Sequence, residues 1–112
     1  MDFREYVKQN ETIIQFVKDV TPGEIDKYTG TLDYASARFN TILLKLSQDP
    51  LRADEHKDEV DECFRVIQNF YFDTKRYLNW PYLCKPIIKC KLHWAGVTQI
   101  PKIKFLLEKI NN

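Results

Sequence analysis

The chain has 112 residues and a formal net charge of +1, and 44% of its residues are hydrophobic, which matches one domain and excludes the composition of a disordered chain. Its three Gly and five Pro are too few for the frequent turns of an all-β protein. No uncharged apolar run approaches the roughly 20 residues of a membrane span, and residues 1–5 do not resemble a signal peptide. We therefore expect one helical domain over residues 1–112, inside the cell and without a membrane partner.

Residues 2–20 predict an amphipathic helix, because apolar side chains recur at spacings of three and four and only Asn10 interrupts them. The apolar face consists of Phe3, Tyr6, Val7, Ile13, Ile14, Val17 and Val20. Two interpretations of this face stay open at this point. It packs in the core of the domain, or it pairs with a second copy or a partner chain, as in a structural or oligomerising subunit.

The following segment predicts a helix start and then a break. Residues 21–24 have the pattern of a capping box with Pro at the first helical position, which indicates a short helical turn through Tyr28. Gly30 is expected to end that turn and Thr31 to cap a third segment, which the Asp-Pro pair at 49–50 closes. The apolar face of this segment is Leu32, Ala35, Phe39, Ile42, Leu43 and Leu46.

The clearest helix of the sequence begins within an acidic run at residues 54–62. Negative charge is favoured at the start of a helix by the helix dipole, so the run needs no further explanation. The helix is expected to end near Asp73 and to lie at the centre of the core. Its apolar residues are Val60, Cys63, Phe64, Ile67, Phe70 and Tyr71.

Beyond Thr74 the elements are expected to be shorter, because the three prolines at 81, 86 and 101 are tolerated chiefly in the first turn of a helix. We predict a turn over residues 75–78, a helix from about Pro86 to His93 that Gly96 ends, and a last helix from Gln99 or Pro101 to Ile110. The fold class predicted from the whole sequence is all-α, a compact bundle of five to six mostly short helices.

Metal and catalytic sites are weakly indicated. Cys84, Cys90 and His93, with His56 or Cys63 as a fourth ligand, lack the closely paired spacing of zinc sites, and free cysteines are commonly buried. Cys90 and His93 lie one helical turn apart, as a nucleophile and its base would, but no further catalytic pattern accompanies them. We expect no metal, no cofactor and no enzymatic activity.

The strongest functional signal is the basic and aromatic character of the last third. Residues 1–73 hold nine Lys and Arg against fifteen Asp and Glu, whereas residues 74–112 hold eight against the single Glu108. Cations beside aromatic rings suit a ligand with an apolar anchor and acidic neighbours. The candidate partner-binding residues are Lys75, Arg76, Lys85 and Lys89 for ligand acids, with Tyr77, Trp80 and Trp94 as apolar walls.

Two alternatives apply to the same residues. Lysines and aromatic rings also suit a nucleic-acid-binding surface. Two observations count against this interpretation: the last third contains only one Arg, and the total charge of the chain is near neutral. The aromatic residues lie where several short helices must pack, so most of them are expected to fill the core. These are Tyr71, Phe72, Tyr77, Trp80 and Tyr82.

Residues 60–110 resemble the small helical domain shared by the N-terminus of elongation factor TFIIS and the integrase-binding domain of lens-epithelium-derived growth factor. The resemblance rests on VDECFRVIQNF, then a short turn that Thr74 begins, then PIIKCKLHW, and finally PKIKFLLEKI. It implies a bundle of short helices that captures disordered peptide motifs, carrying hydrophobic and acidic residues, from transcription and chromatin proteins.

We therefore expect a non-enzymatic protein-protein interaction module. A nucleic-acid-binding domain and a structural subunit that pairs through residues 2–20 are the alternatives. Three cysteines form no even disulfide framework and indicate a reducing compartment, the cytosol or the nucleus. The resemblance to domains of transcription and chromatin proteins implies the nucleus rather than the cytoplasm.

Overall fold

The computed structural model describes residues 3–20 and 26–111, and within them it contains six α-helices and no strand. The all-α bundle predicted from the sequence is confirmed. A 3₁₀ turn over Tyr82–Cys84 leads into the fifth helix, and a π-helical segment over Ala95–Gln99 joins the fifth to the sixth. The helices are α1 (Phe3–Val20), α2 (Asp26–Leu46), α3 (Pro50–Glu55), α4 (Lys57–Asn79), α5 (Lys85–Trp94) and α6 (Ile100–Asn111).

Helices α1 and α4 run side by side in the same direction. The rings of Tyr6 and Phe64 lie 4.5 Å apart between their centroids, and those of Phe16 and Tyr71 lie 5.1 Å apart. Helix α2 runs antiparallel to α1. Asn10, near the middle of α1, contacts Asn40 in the C-terminal half of α2, whereas Lys18 near the end of α1 contacts Asp33 in the N-terminal half of α2. Both α2 and α4 therefore flank α1.

The last helices return along α4 in the opposite direction. Near the start of α4, the ammonium of Lys102 donates to Glu62 at 2.9 Å. The guanidinium of Arg52, on α3, donates to the backbone carbonyl of Ile110. Helix α6 thus packs between α2 and α4, while α5 packs on the C-terminal half of α4.

One hydrophobic core holds these helices together. Apolar positions at helical spacing on α2, α4 and α6 meet in it, as the periodicity predicts. The largest side chains that are fully buried are Leu32, Phe39, Leu43, Leu46, Ile67, Phe70, Ile88, Leu92, Ile100, Ile103 and Leu107.

The described part of the apolar face of α1 belongs to this core, and the side chain of Val20 lies outside the described residues. Ile14 and Val17 are buried, and Phe3, Tyr6 and Ile13 pack against the core from its edge. Asn10, the one polar interruption, is fully buried, and its side-chain amide donates to Asn40 at 2.9 Å. The interpretation in which this face is left open for a partner chain therefore loses its structural basis.

Two predicted boundaries around Gly30 are corrected. Helix α2 passes through Gly30 without a break, although a glycine inside a helix costs about 1 kcal/mol relative to alanine. Burial of Leu32, Phe39 and Leu43 against the rest of the bundle outweighs that cost. The capping box predicted at residues 21–24 lies outside the described residues.

Helix α4 is longer than predicted and includes the residues expected to form a turn at 75–78. The buried spacing continues past Asp73 through Thr74 and Tyr77, and the Thr74 hydroxyl donates to the carbonyl of Phe70 at 2.9 Å. Trp80, which precedes Pro81, adopts an extended conformation with ψ of 157°. Steric conflict with the following proline disfavours the helical conformation at Trp80, so Pro81 favours the end of α4 at this position.

Gly96 does not end a helix, contrary to the prediction. The chain continues from α5 through the π-helical segment into α6, and the Ile100 N–H donates to the carbonyl of Ala95, five residues back. Pro101 has no N–H for the ordinary bond to the carbonyl four residues back, and its ring crowds that carbonyl, so a widened turn suits this position.

None of the described helices is both long and apolar enough to cross a bilayer.

Candidate functional site

A groove of about 350 Å³ lies between α4 and α5, in the part of the chain that carries the strongest functional signal. Val66 of α4 and Ala95 of the π-helical segment are buried residues in its lining and give it an apolar floor. Its rim carries aromatic, cationic and amide side chains. The remaining lining residues are Asn69, Phe72, Asp73, Arg76, Lys91, Trp94 and Gln99.

Two exposed aromatic side chains line this groove, one from each helix. Phe72 of α4 is 51% exposed, and Trp94 of α5 is 57% exposed. Large apolar side chains left this accessible beside a concavity are typical of ligand-binding surfaces, because a ligand can bury them without any rearrangement of the core.

The charges of the groove are predominantly positive. Arg76 lies on α4 and its guanidinium contacts the Asp73 carboxylate at 3.1 Å, while Lys91 contributes a second cation from α5. The Arg76 side chain is 48% exposed, whereas that of Asp73 is 15% exposed, so solvent and ligands reach the pair from the guanidinium side. The groove therefore combines an apolar floor and walls with two cations at its rim.

The structure brings together only two of the residues predicted for partner binding, Arg76 and Trp94, in this groove. Lys75 is exposed on α4, but its ammonium lies 5.1 Å from the centre of the Tyr71 ring, toward the α1 side. Trp80 is partly exposed just after the end of α4. Lys89 is exposed on α5, about 160° around the helix axis from Lys91.

Tyr77 and Lys85 are placed differently from the prediction. Tyr77 is buried in the core, because it continues the helical spacing of Phe70 and Thr74. The Lys85 ammonium donates to the backbone carbonyl of Tyr77 at 2.6 Å and lies 4.9 Å from the centre of its ring. This lysine therefore joins the C-terminal turn of α4 to the start of α5, and neither residue lines the groove.

Sequence reasoning missed Phe72 and Lys91 as groove residues. Phe72 was expected in the core, yet it follows Phe70 by two residues and so points about 200° away from it around the helix. Trp80 and Tyr82, also expected in the core, are exposed as well. Extending the helical spacing beyond Asp73 would have separated buried Tyr77 from exposed Phe72.

A second groove, of about 630 Å³, lies between α1 and α4. Phe72 lines this groove as well, together with Tyr71 and Gln68 of α4, and its charged residues are of mixed sign, Glu5 and Lys8. Because it offers no excess of either charge, it selects a ligand less sharply than the α4–α5 groove does.

The three cysteines lie in different environments. Cys63 is buried, Cys84 is half-buried and Cys90 is exposed. Among the described residues, no group of three or more His, Cys, Asp or Glu side chains is placed to hold a metal ion.

Cys63 should be the least reactive thiol of the native protein. Burial, together with the nearby carboxylates of Glu62 and Glu59, raises the pKa of Cys63 to about 12, so the reactive thiolate is scarce at neutral pH. Iodoacetamide labelling of the native protein at pH 7.5, followed by mass spectrometry, should modify Cys90 first and leave Cys63 unmodified until denaturant is added. Modification of native Cys63 as fast as Cys90 would contradict this burial.

Comparisons of the chain with protein-family models, curated proteins and solved structures found no match.

Proposed function

We propose that this domain is a non-enzymatic protein-protein interaction module that captures a short disordered peptide with an apolar anchor and acidic flanking residues. The observation that carries the proposal is the α4–α5 groove, in which the exposed rings of Phe72 and Trp94 stand beside the cations Arg76 and Lys91.

The groove suits such a ligand in two ways. An aliphatic or aromatic anchor placed between Phe72 and Trp94 buries apolar surface, and full burial of one such side chain contributes about 1.5–3 kcal/mol. A ligand carboxylate can pair with Lys91, or with the exposed side of the Arg76 guanidinium, which has five N–H donors and contacts Asp73 through Nη1. The anchor supplies affinity, and the cations select acidic peptides.

The partner class that we propose is transcription and chromatin proteins, with a nuclear location. It rests on the resemblance of residues 60–110 to the helical domain shared by elongation factor TFIIS and lens-epithelium-derived growth factor. The resemblance implies capture of disordered peptides that carry hydrophobic and acidic residues. The segments of the resemblance correspond to α4, α5 and α6. Two of these helices, α4 and α5, form the groove.

A binding experiment with paired variants tests the groove. Fluorescence anisotropy would follow a labelled 15-residue peptide, rich in Asp and Glu around one Phe or Leu, as the domain is added. Trp94→Ala and Lys91→Glu should each weaken binding about tenfold or more, since each removes a wall or reverses a charge of the groove.

Lys104→Glu is the matched control for the charge reversal. Lys104 is an exposed lysine of α6 that does not line the groove, so its substitution changes the net charge by the same amount. Its effect on peptide binding should stay within about twofold. Equal weakening by Lys91→Glu and Lys104→Glu would refute the groove as the binding site, and so would the absence of binding to any peptide of this composition.

Nucleic-acid binding is the alternative that the same basic residues raise. Part of the positive charge is already paired within the fold, because Arg76 contacts Asp73 and Lys102 contacts Glu62. The hydrogen bond from Lys102 lowers the pKa of the Glu62 carboxyl, which keeps that carboxylate charged. Affinity for single-stranded DNA that falls steeply with salt would favour the alternative over peptide capture.

A further inference from the structure

The turn between α4 and α5 exposes a cluster of large apolar side chains. Helix α4 ends at Asn79 and α5 begins at Lys85, so residues 80–84 form the tip of an antiparallel helical pair. Tyr82 is 83% exposed and Leu83 is 87% exposed. Trp80 and Ile87 on either side of them are also exposed. We refer to Trp80, Tyr82, Leu83 and Ile87 as the apolar tip.

The apolar tip is presented by rigid local structure. Pro81 fixes the extended entry into the turn, and the 3₁₀ turn over Tyr82–Cys84 continues directly into α5. Leu83 and Ile87 are four residues apart along this helical path, so they project on the same side. Four large apolar side chains exposed within eight residues of a small domain are typical of a surface that another body covers.

The surroundings of the apolar tip are positively charged. From Thr74 to Leu107 the sequence contains seven Lys and Arg and no Asp or Glu. Apart from the groove cations, Lys75 near the end of α4 and Lys89 on α5 are exposed on either side of the turn. This charge repels a second copy of the same surface and attracts an anionic one.

The aliphatic residues of the apolar tip, Leu83 and Ile87, indicate which kind of anionic partner the tip fits better, nucleic acid or a lipid bilayer. Nucleic acid gains from stacking on Trp80 and Tyr82, but it gains little from Leu83 and Ile87. A bilayer interface accommodates all four, because Trp and Tyr favour the headgroup level, aliphatic side chains favour the acyl region, and lysines are attracted to anionic lipid headgroups.

We infer that the apolar tip is a peripheral anchor for an anionic lipid surface, with Leu83 and Ile87 inserted and Lys89 among the lipid headgroups. This inference departs from the expectation of no membrane partner, which rests on the absence of a spanning segment, because an interfacial contact needs no spanning helix. The inference is independent of peptide capture, since Trp94 lies about 14 Å along α5 from Lys85, beyond the depth of about 5–10 Å that interfacial insertion reaches.

Vesicle co-sedimentation of the 112-residue chain tests this inference. The protein should bind vesicles of phosphatidylcholine with a quarter phosphatidylserine at least tenfold more tightly than vesicles of phosphatidylcholine alone. Leu83→Glu should reduce binding to the anionic vesicles at least tenfold. Leu51→Glu is the matched control, because Leu51 on α3 is an equally exposed leucine outside the apolar tip, and it should bind as the unmodified protein does.

Tryptophan fluorescence reports which end of α5 enters the lipid. With Trp94→Phe, the remaining Trp80 should shift its emission to shorter wavelength on addition of anionic vesicles, whereas with Trp80→Phe the remaining Trp94 should not shift. Far-UV circular dichroism of Leu83→Glu should match the unmodified protein, since Leu83 is exposed.

Three results would overturn the inference. The first is the absence of binding to anionic vesicles, and the second is equal loss of binding with Leu51→Glu and Leu83→Glu. The third is binding of an oligothymidine strand that displaces the vesicles and is unaffected by Leu83→Glu, which would assign the same surface to nucleic acid.

Discussion

Replacing Phe70 with alanine should lower the free energy of unfolding by about 3–5 kcal/mol, because it removes a fully buried ring and leaves a cavity in close-packed surroundings. This loss is a large fraction of the about 5–15 kcal/mol that usually stabilises a domain. Urea denaturation followed by circular dichroism at 222 nm measures it directly.

Phe72→Ala is the control for this experiment, two residues away on the same helix. Phe72 is half exposed in the groove, so its substitution should cost below about 1 kcal/mol, in the range of surface substitutions, while weakening the binding of acidic peptides. Similar destabilisation by the two substitutions would mean that Phe72 is a core residue and that the α4–α5 groove lacks one of its walls.

Deleting residues 1–20 should abolish cooperative folding of the remaining chain. Helix α1 contributes the buried Ile14 and Val17, and it covers the rings of Phe64 and Tyr71 on α4. Without α1, the apolar surface that it covers on α2 and α4 is exposed to water. The resulting loss of stability is far larger than that caused by one core substitution. The measurement is thermal unfolding of the truncated chain by calorimetry, in which the unfolding transition should be absent or strongly broadened.

The same deletion separates the two interpretations of residues 2–20. A core helix cannot be removed without loss of the fold, whereas an oligomerisation helix can be removed to leave a folded monomer. Two results together would contradict the core position of α1 and favour the structural-subunit alternative. The truncated chain would unfold cooperatively, and the intact chain would sediment as a dimer.

The buried faces that the sequence predicts best are those whose helical periodicity extends over several turns. The faces of α1, α2 and α4 follow spacings of three and four, and the predicted residues Val17, Phe39 and Phe70 are buried as expected. The sequence predicts helix boundaries less well, because glycines such as Gly30 and Gly96 indicate helix ends that the structure does not have. Glycine only weakens a helix, and tertiary packing holds α2 together through Gly30.

For the candidate site, the sequence predicts the types of residue, cations and aromatic rings, better than it predicts which of them lie together in one groove. Arg76 and Trp94 were selected from charge and aromatic clustering, and the structure places both in one groove. Lys85 could not be assigned in this way, because its bond to the Tyr77 carbonyl depends on the antiparallel return of α5 onto α4. Phe72 was assigned to the core because aromatic residues near helix junctions usually lie there.

Chemical-shift mapping is the most direct test of the central claim, that the α4–α5 groove is the binding site. The ¹⁵N-labelled domain would be titrated with the acidic 15-residue peptide and followed by heteronuclear correlation spectra. We predict that the largest shift changes occur at Phe72, Arg76 and Lys91 and at the indole N–H of Trp94. Changes centred instead on Lys8 and Gln68 in the α1–α4 groove, or changes absent from the α4–α5 groove at saturating peptide, would contradict it.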